Sequence, residues 1–273
     1  MTRDEAALAI EWAASEGWNP GLYDADCFYS ADPQGFLVGE INQQPIATIS
    51  AIKYGDTFGF LGFYIVKPEY RGQGYGIQLW NAALNYLAGR NIGLDGVVDQ
   101  QRNYQKSGFK LAYRNIRYEG ISGGSDPKNS EIIPLSQVPF ELVEQYDRPF
   151  FPDQRSQFLR SWLHQPESIA LGILEGDNLV GYGMIRPCRS GYKIGPLFAD
   201  NSELAETLFL ALKSRVKPEQ PIYLDVPEPN QQAVLLAEKY RMKLIFETAR
   251  MYTGSFPGLQ LHHIFGVTSF ELG

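Results

Sequence analysis

Residues 58 to 82 constrain the fold more than any other stretch, because a strand, a glycine loop and a helix follow one another with no slack between them. Phe58 to Val66 is an apolar and aromatic run that reads as a strand, and Pro68 stops it. Arg71-Gly72-Gln73-Gly74-Tyr75-Gly76 then leads into a helix over 77 to 89, with Ile77, Leu79, Trp80 and Leu84 at apolar-periodic positions. Successive glycines let backbone N–H groups turn toward one point at a helix start. Unpaired donors and the positive end of the macrodipole favour an anion there, and a phosphate suits such a site.

Spacing separates three phosphate-binding readings. A Walker loop ends in Gly-Lys-Ser/Thr, which does not occur here. A dinucleotide fingerprint would use Gly72 and Gly74, with Asp95 about twenty residues further on, but its third glycine falls on Ile77 while Gly76 stands one place early. The pattern Arg/Gln-x-x-Gly-x-Gly/Ala is met directly by Arg71, Gly74 and Gly76. It resembles the acetyl-CoA pyrophosphate loop of the GCN5-related N-acetyltransferases, the GNAT family. Over six residues alone, a glycine turn that only caps a helix would read the same way.

The order of elements extends the resemblance. Residues 2 to 16 read as a helix opened by a Thr2/Glu5 capping box, and Tyr23 to Tyr29 as a short second helix. Phe36 to Ile41, Pro45 to Tyr54 and Phe58 to Val66 are strands separated by short turns, which predicts an antiparallel meander. After the glycine loop and its helix come a strand over Asn91 to Val98, a short helix over Gln100 to Ser107 and a strand over Phe109 to Tyr118. This is the GNAT order across about 120 residues. Tyr104-Gln105-Lys106-Ser107-Gly108-Phe109 also reproduces a Tyr-x-x-x-Gly-Phe segment common in that family. The Asn commonly found seven places before that Tyr is absent, since Val97 stands there, and Asp99 or Asn103 is the substitute available.

Residues 119 to 131 have linker composition, and beyond them the chain repeats itself. Phe109 to Arg117 lies over Met242 to Arg250 at an offset of 133, and Leu94-Asp95-Gly96-Val97 over Leu224-Asp225-Val226 at an offset near 130. Paired helices at Pro139 to Tyr146 and Asp153 to Leu163, a hairpin through Gly176-Asp177-Asn178, a strand at Lys193 to Phe198 and a Ser202-capped helix to Ser214 complete the second copy. There the glycine loop is replaced by Leu197 to Ser202, whose Asp200 would repel a pyrophosphate, and Tyr104 is replaced by Ala237. The fold class expected is α+β, in three α/β/α layers: two tandem GNAT-like domains, each a mixed, mostly antiparallel sheet flanked by helices. Residues 1–122 form the acetyl-CoA-binding domain, 123–130 a linker and 131–273 a GNAT-like domain without the cofactor loop.

The resemblance implies an N-acyltransferase that moves an acetyl or other acyl group from acetyl-CoA to a primary amine of a small molecule or peptide, by direct attack in a ternary complex. A catalytically silent acyl-CoA sensor or interaction module is the alternative. Arg71, Gly72, Gln73, Gly74, Tyr75 and Gly76 would hold the pyrophosphate. Tyr64, Ile65 and Val66 would pair with pantetheine, and Asn103 would touch it. Tyr104 would protonate the departing thiolate. For the substrate or the general base the candidates are Trp18, Asn19, Asp24 and Glu40, with Asp26 beside them. Cys27 and Cys188 are far apart and fit no disulfide framework or metal motif, which points to a reducing, cytoplasmic setting without a metal. The net charge of -7 is spread over both halves, with 11 basic against 14 acidic residues up to residue 130 and 13 against 17 after it. That argues against nucleic acid as a partner. No apolar run approaches the ~18 residues of a membrane span.

Overall fold

A computed structural model describes residues 1–127 and 131–273, so residues 128–130 of the expected linker lie outside the described residues. In chain order the elements are α1 (Arg3–Ser15), α2 (Asp24–Ala31), β1 (Phe36–Ile41), β2 (Gln44–Tyr54), β3 (Phe58–Val66), α3 (Tyr75–Tyr86), β4 (Asn91–Val97), α4 (Gln101–Lys106) and β5 (Lys110–Ile121). The second half adds β6 (Ile132–Pro134), α5 (Phe140–Asp147), α6 (Ser156–Trp162), β7 (Ile169–Glu175), β8 (Asn178–Pro187), β9 (Tyr192–Ala199), α7 (Ser202–Ser214), β10 (Pro221–Pro227), α8 (Gln231–Lys239), β11 (Lys243–Tyr252) and β12 (Ile264–Gly266).

Local chemistry sets the helix starts. Thr2 and Glu5 cap α1 reciprocally, as the sequence predicts. Gly74, at φ +84°, is the left-handed residue before α3, so that helix begins at Tyr75, two residues earlier than its apolar periodicity suggests. Asn201, not Ser202, caps α7: its extended backbone lets the side chain accept from the N–H groups of Glu203 and Leu204, while Ser202 is already helical.

Strands β1, β2 and β3 form the expected antiparallel meander, and β3 runs parallel to β4. The next neighbour of β4 is not β5 but β11, from the second half of the chain. Strand β5 pairs with β11 on one side and β10 on the other. The two halves have thus exchanged their last long strands, and the sheet is continuous in the order β1-β2-β3-β4-β11-β5-β10-β9-β8-β7-β6, with β12 alongside β9.

Two buried ion pairs record the exchange. Arg250 on β11 holds Asp95 on β4 through contacts of 3.0 and 2.5 Å. Arg117 on β5 holds Asp225 on β10 at 2.6 and 2.7 Å. Arg117 and Arg250 are equivalent in the repeat, as are Asp95 and Asp225, so each arginine serves the aspartate of the other half. Their side chains are at most 4% exposed. In such surroundings, deleting one partner strands the other charge. A third pair, Asp24 with Arg186, joins α2 to β8 and is equally buried.

Apolar packing divides by face. Ala6, Ala9, Ile10 and Ala13 of α1 pack with Phe28, Phe60 and Phe63 on one side of the N-terminal sheet. Leu79, Trp80 and Ala83 of α3 pack with Leu61, Leu94 and Phe109 on the other. Alternate residues of β3, Phe60 and Leu61, thereby point to opposite layers, as strand geometry requires.

Candidate functional site

The site begins where β3 and β4 part. They are paired from Phe58 and Asn91 to Leu61 and Leu94, yet β3 continues to Val66 and β4 to Val97. A bulge in the β2–β3 register between Thr48 and Ser50 coincides with Phe63 at φ +48°, which bends β3 away. The unpaired edge of Gly62 to Val66 faces a cleft of about 850 Å³ bounded across the gap by Asp95, Gly96 and Val97. Exposed strand-edge N–H and C=O groups suit an extended, amide-bearing ligand.

One end of the cleft is the glycine loop. Gly72 and Gly74 take φ of +73° and +84°, conformations open to glycine at little cost. Gly76 answers a different need: a Cβ there would stand 2.6 Å from the Tyr64 hydroxyl oxygen. No side chain caps α3, so its first N–H groups stay open toward the cleft. Arg71 bridges the cleft mouth, its Nε donating to the Val66 carbonyl at 2.7 Å and its Nη2 pairing with Glu16 at 2.5 Å.

Tyr104 reaches the same cleft from α4. Its ring stacks on Trp80 with centroids 5.6 Å apart and lies flat against Gly96, where a Cβ would meet ring carbon Cε2 at 2.2 Å. Burial, with a smaller contribution from neighbouring Tyr64, pushes its phenol up to about 12. The hydroxyl therefore keeps its proton at any working pH.

Tyr64, Ile65, Val66, Arg71, Gly72, Gly74, Gly76, Asn103, Tyr104 and Trp18 thus converge on one cleft. The Gln73 and Tyr75 side chains turn elsewhere: Gln73 donates to the Glu69 carbonyl at 2.8 Å, and Tyr75 packs edge-on against Tyr70. Of the acidic candidates, Asp24 is buried, held by Arg186 and the Gly21 N–H. Asp26 pairs with Arg3 at the surface, and Glu40 is exposed on β1. Asn19 ties down the 188–190 loop, accepting from the Ser190 N–H at 2.9 Å. None of these four lines the cleft, whereas Phe246 and Thr248 of β11 and Phe270 and Glu271 beyond β12 do. Phe246 and Thr248 arrive through the strand exchange, and Phe270 and Glu271 through the segment that follows β12; no local pattern announces either.

The second half shows the same parting of strands with a different outcome. Strands β9 and β10 pair only from Tyr192 to Ile194, and the same kind of bulge recurs between Gly183 and Ile185. Here the gap is filled by the protein itself: β12 pairs with β9, and the Val267 N–H donates to the Asp225 carbonyl at 2.8 Å. The segment 264–273 then crosses to the N-terminal half, where the Tyr54 hydroxyl donates to the Leu272 carbonyl.

Comparison with known proteins agrees with both halves. Residues 5–109 match the model of the acetyltransferase (GNAT) family, and residues 143–266 match an acetyltransferase (GNAT) domain model. A protein of Pseudoalteromonas sp. (strain SANK 73390) named holothin acyltransferase is 31% identical over 270 residues, covering 99% of this chain and 92% of that protein. The chain belongs to the GNAT family. It is of the tandem kind, and its activity class is acyl transfer.

Solved structures carry the fold further. A putative acetyltransferase from Pyrococcus horikoshii superposes with a TM-score of 0.85 over 100% of this chain and 94% of its own, at 20% identity. A tandem GNAT protein from the clavulanic acid biosynthesis pathway gives 0.63 over 94% and 98%, at 12% identity. Among the described residues no helix is long and apolar enough to cross a membrane, and no group of three or more His, Cys, Asp and Glu is placed to hold a metal.

Proposed function

We propose that this GNAT protein transfers an acetyl or other acyl group from acetyl-CoA to a primary amine of a small molecule or peptide, by direct attack in a ternary complex within the β3–β4 cleft. The observation that carries this reading is the convergence of the glycine loop, the free β3 edge and the Tyr104 hydroxyl on one cavity. Arg71 and the loop N–H groups would hold the pyrophosphate through charge-assisted hydrogen bonds. The β3 edge would pair with pantetheine and aim an N–H at the thioester oxygen, where negative charge develops during attack. The N-terminal half takes the cofactor, the second half's own gap being occupied by β12. Both cysteines are free, in keeping with a cytoplasmic setting.

The test is thiol release from acetyl-CoA over a panel of amines, with holothin included because a full-length relative bears its name. Tight acetyl-CoA binding in calorimetry with no release on any acceptor would favour a silent sensor instead.

Arg71 supplies a prediction with two signs. Arg71→Ala should raise KM for acetyl-CoA about tenfold or more, the size expected for a charge-assisted contact, with kcat nearly unchanged. Glu16→Gln should lower that KM a few-fold by freeing the guanidinium, a small effect because the pair is substantially exposed. If both variants shift KM in the same direction, Arg71 does not contact the cofactor.

A further inference from the structure

Three carboxylates line the cleft: Glu16, Asp95 and Glu271. Glu16 is committed to Arg71. Asp95 receives Arg250, Asn115 and Thr248 together. Glu271 differs. It is 4% exposed, its Oε2 has no hydrogen-bond partner, and no ion pair within 4.0 Å among the described residues includes it. Leaving a buried carboxylate oxygen unsatisfied is costly, and such a group calls for a partner that arrives from outside the chain.

Its position is fixed by the backbone. The Glu271 carbonyl oxygen stands 1.9 Å from where a Cβ of residue 62 would be, so Gly62 exists to admit this segment. Gly62 is the first residue of β3 beyond the last β3–β4 pair. The residue after Glu271, Leu272, packs with Phe60 and the α1 residues, which puts the segment on the α1 side, whereas Tyr104 lies with Leu94 and Trp80 on the α3 side. The two groups therefore flank the gap from opposite faces of the sheet.

The charges around Glu271 are largely settled among themselves. Arg117 on β5, Arg186 on β8 and Lys193 on β9 all feel its negative charge. Arg117 is bound by Asp225 and Arg186 by Asp24, which leaves those guanidiniums neutralised. Lys193 has no hydrogen-bond partner for Nζ and makes no ion pair with Glu271 within 4.0 Å; burial pulls its pKa down while the Glu271 charge pushes it back up. The Cys188 thiol nearby is pushed up by burial and adds no charge.

We propose that Glu271 is the general base: its carboxylate binds the ammonium group of the acceptor on the α1 face and takes one proton from it before attack. This rests on the acyltransferase reading above. The amine R–NH3⁺ gives a proton to Glu271 and becomes R–NH2. Its lone pair forms the C–N bond at the thioester carbon, and the C–S bond breaks. The thiolate takes the Tyr104 phenolic proton, the phenolate recovers a proton from the new amide nitrogen, and Glu271 returns its proton to solvent. One ammonium and one thioester give one amide, one thiol and one proton. The acceptor class is a cationic primary amine that approaches past Trp18, Phe246 and Phe270.

The test compares wild type with Glu271→Gln and Glu271→Asp on an amine that the thiol-release panel shows to be a substrate. At pH 7 Glu271→Gln should lose about 10²-fold in kcat/KM for the amine, the usual size of a general-base contribution, with acetyl-CoA affinity unchanged in calorimetry. The deficit should narrow as pH rises toward the amine's own pKa, because a neutral amine needs no base. Glu271→Asp should keep the wild-type pH profile at a reduced rate, and it decides the matter if the Gln variant does not fold. A Gln variant within threefold of wild type, or a deficit constant across pH, would overturn the assignment. No thiol release by wild type on any amine would overturn the acyl-transfer reading and this one with it, so the two failures are distinct.

Discussion

If Tyr104 is the proton source for the leaving thiolate, as the proposed mechanism has it, replacing it with Phe should lower kcat by about 10²-fold while leaving KM for acetyl-CoA within about twofold, because the ring keeps its packing. The phenol stacks on Trp80 and needs no hydroxyl to hold its place, so Phe preserves the wall of the cleft. With its pKa at about 12, Tyr104 stays protonated well past neutrality. A CoA thiol titrates near 8 to 9 in the manner of ordinary thiols, so full transfer from the phenol is uphill by about three to four units. Proton transfer must then be concerted with C–S cleavage and with return of a proton from the amide nitrogen. Wild-type kcat should accordingly show no alkaline fall below about pH 10 attributable to this group. Gly96→Ala should produce a similar loss by another route, since the added methyl would collide with the ring. A Phe variant that turns over within threefold of wild type would remove the acid role.

The second large effect concerns stability. Asp95→Asn should cost about 3–5 kcal/mol, measured by urea denaturation, because it leaves the Arg250 guanidinium buried beside a neutral amide. Replacing both Asp95 and Arg250 with apolar residues should cost less than the two single losses added together, since neither charge is then stranded. A single-mutant cost below about 1 kcal/mol would mean that the pair does not hold β11 in place. The equivalent pair adds a pH signature. Burial alone would raise the Asp225 carboxyl, but the Arg117 guanidinium overrides it and holds the group below the usual range. A depressed native value stabilises fully above the unfolded value near 3.9, and that contribution is lost as pH falls through the native value. Stability should therefore decline below about pH 4, and a variant lacking the pair should decline less steeply.

What was legible in the sequence was local or repeated. The meander, the loop and α3 follow from periodicity and glycine spacing within a single stretch, and the segment around Tyr104 from its short distance to Gly108 and Phe109. The repeat also showed through, since apolar positions at matching offsets reflect the same packing problem solved twice. Hidden were the consequences of contacts between distant residues. Nothing near Lys243–Tyr252 says that this strand leaves its own half, because its alternation fits either neighbour. The acids that the sequence offers as bases, Asp24, Asp26 and Glu40, all belong to elements of the first half. Asp24 turned out to be committed to Arg186, 162 residues away. Glu271 carries no motif: only its position against Gly62 gives it meaning.

The exchanged strand also bears on the order in which the chain is made. Once Ile121 has left the ribosome, β4 has an open edge and β5 is at hand, with Arg117 only 22 residues from Asp95. The finished protein instead joins Asp95 to Arg250 across 155 residues. Closing the short loop would cost less entropy than closing the long one, so the finished pairing depends on contacts that only the second half of the chain supplies. The two arginines stand at equivalent places in the repeat, and in the finished protein neither aspartate is left without one.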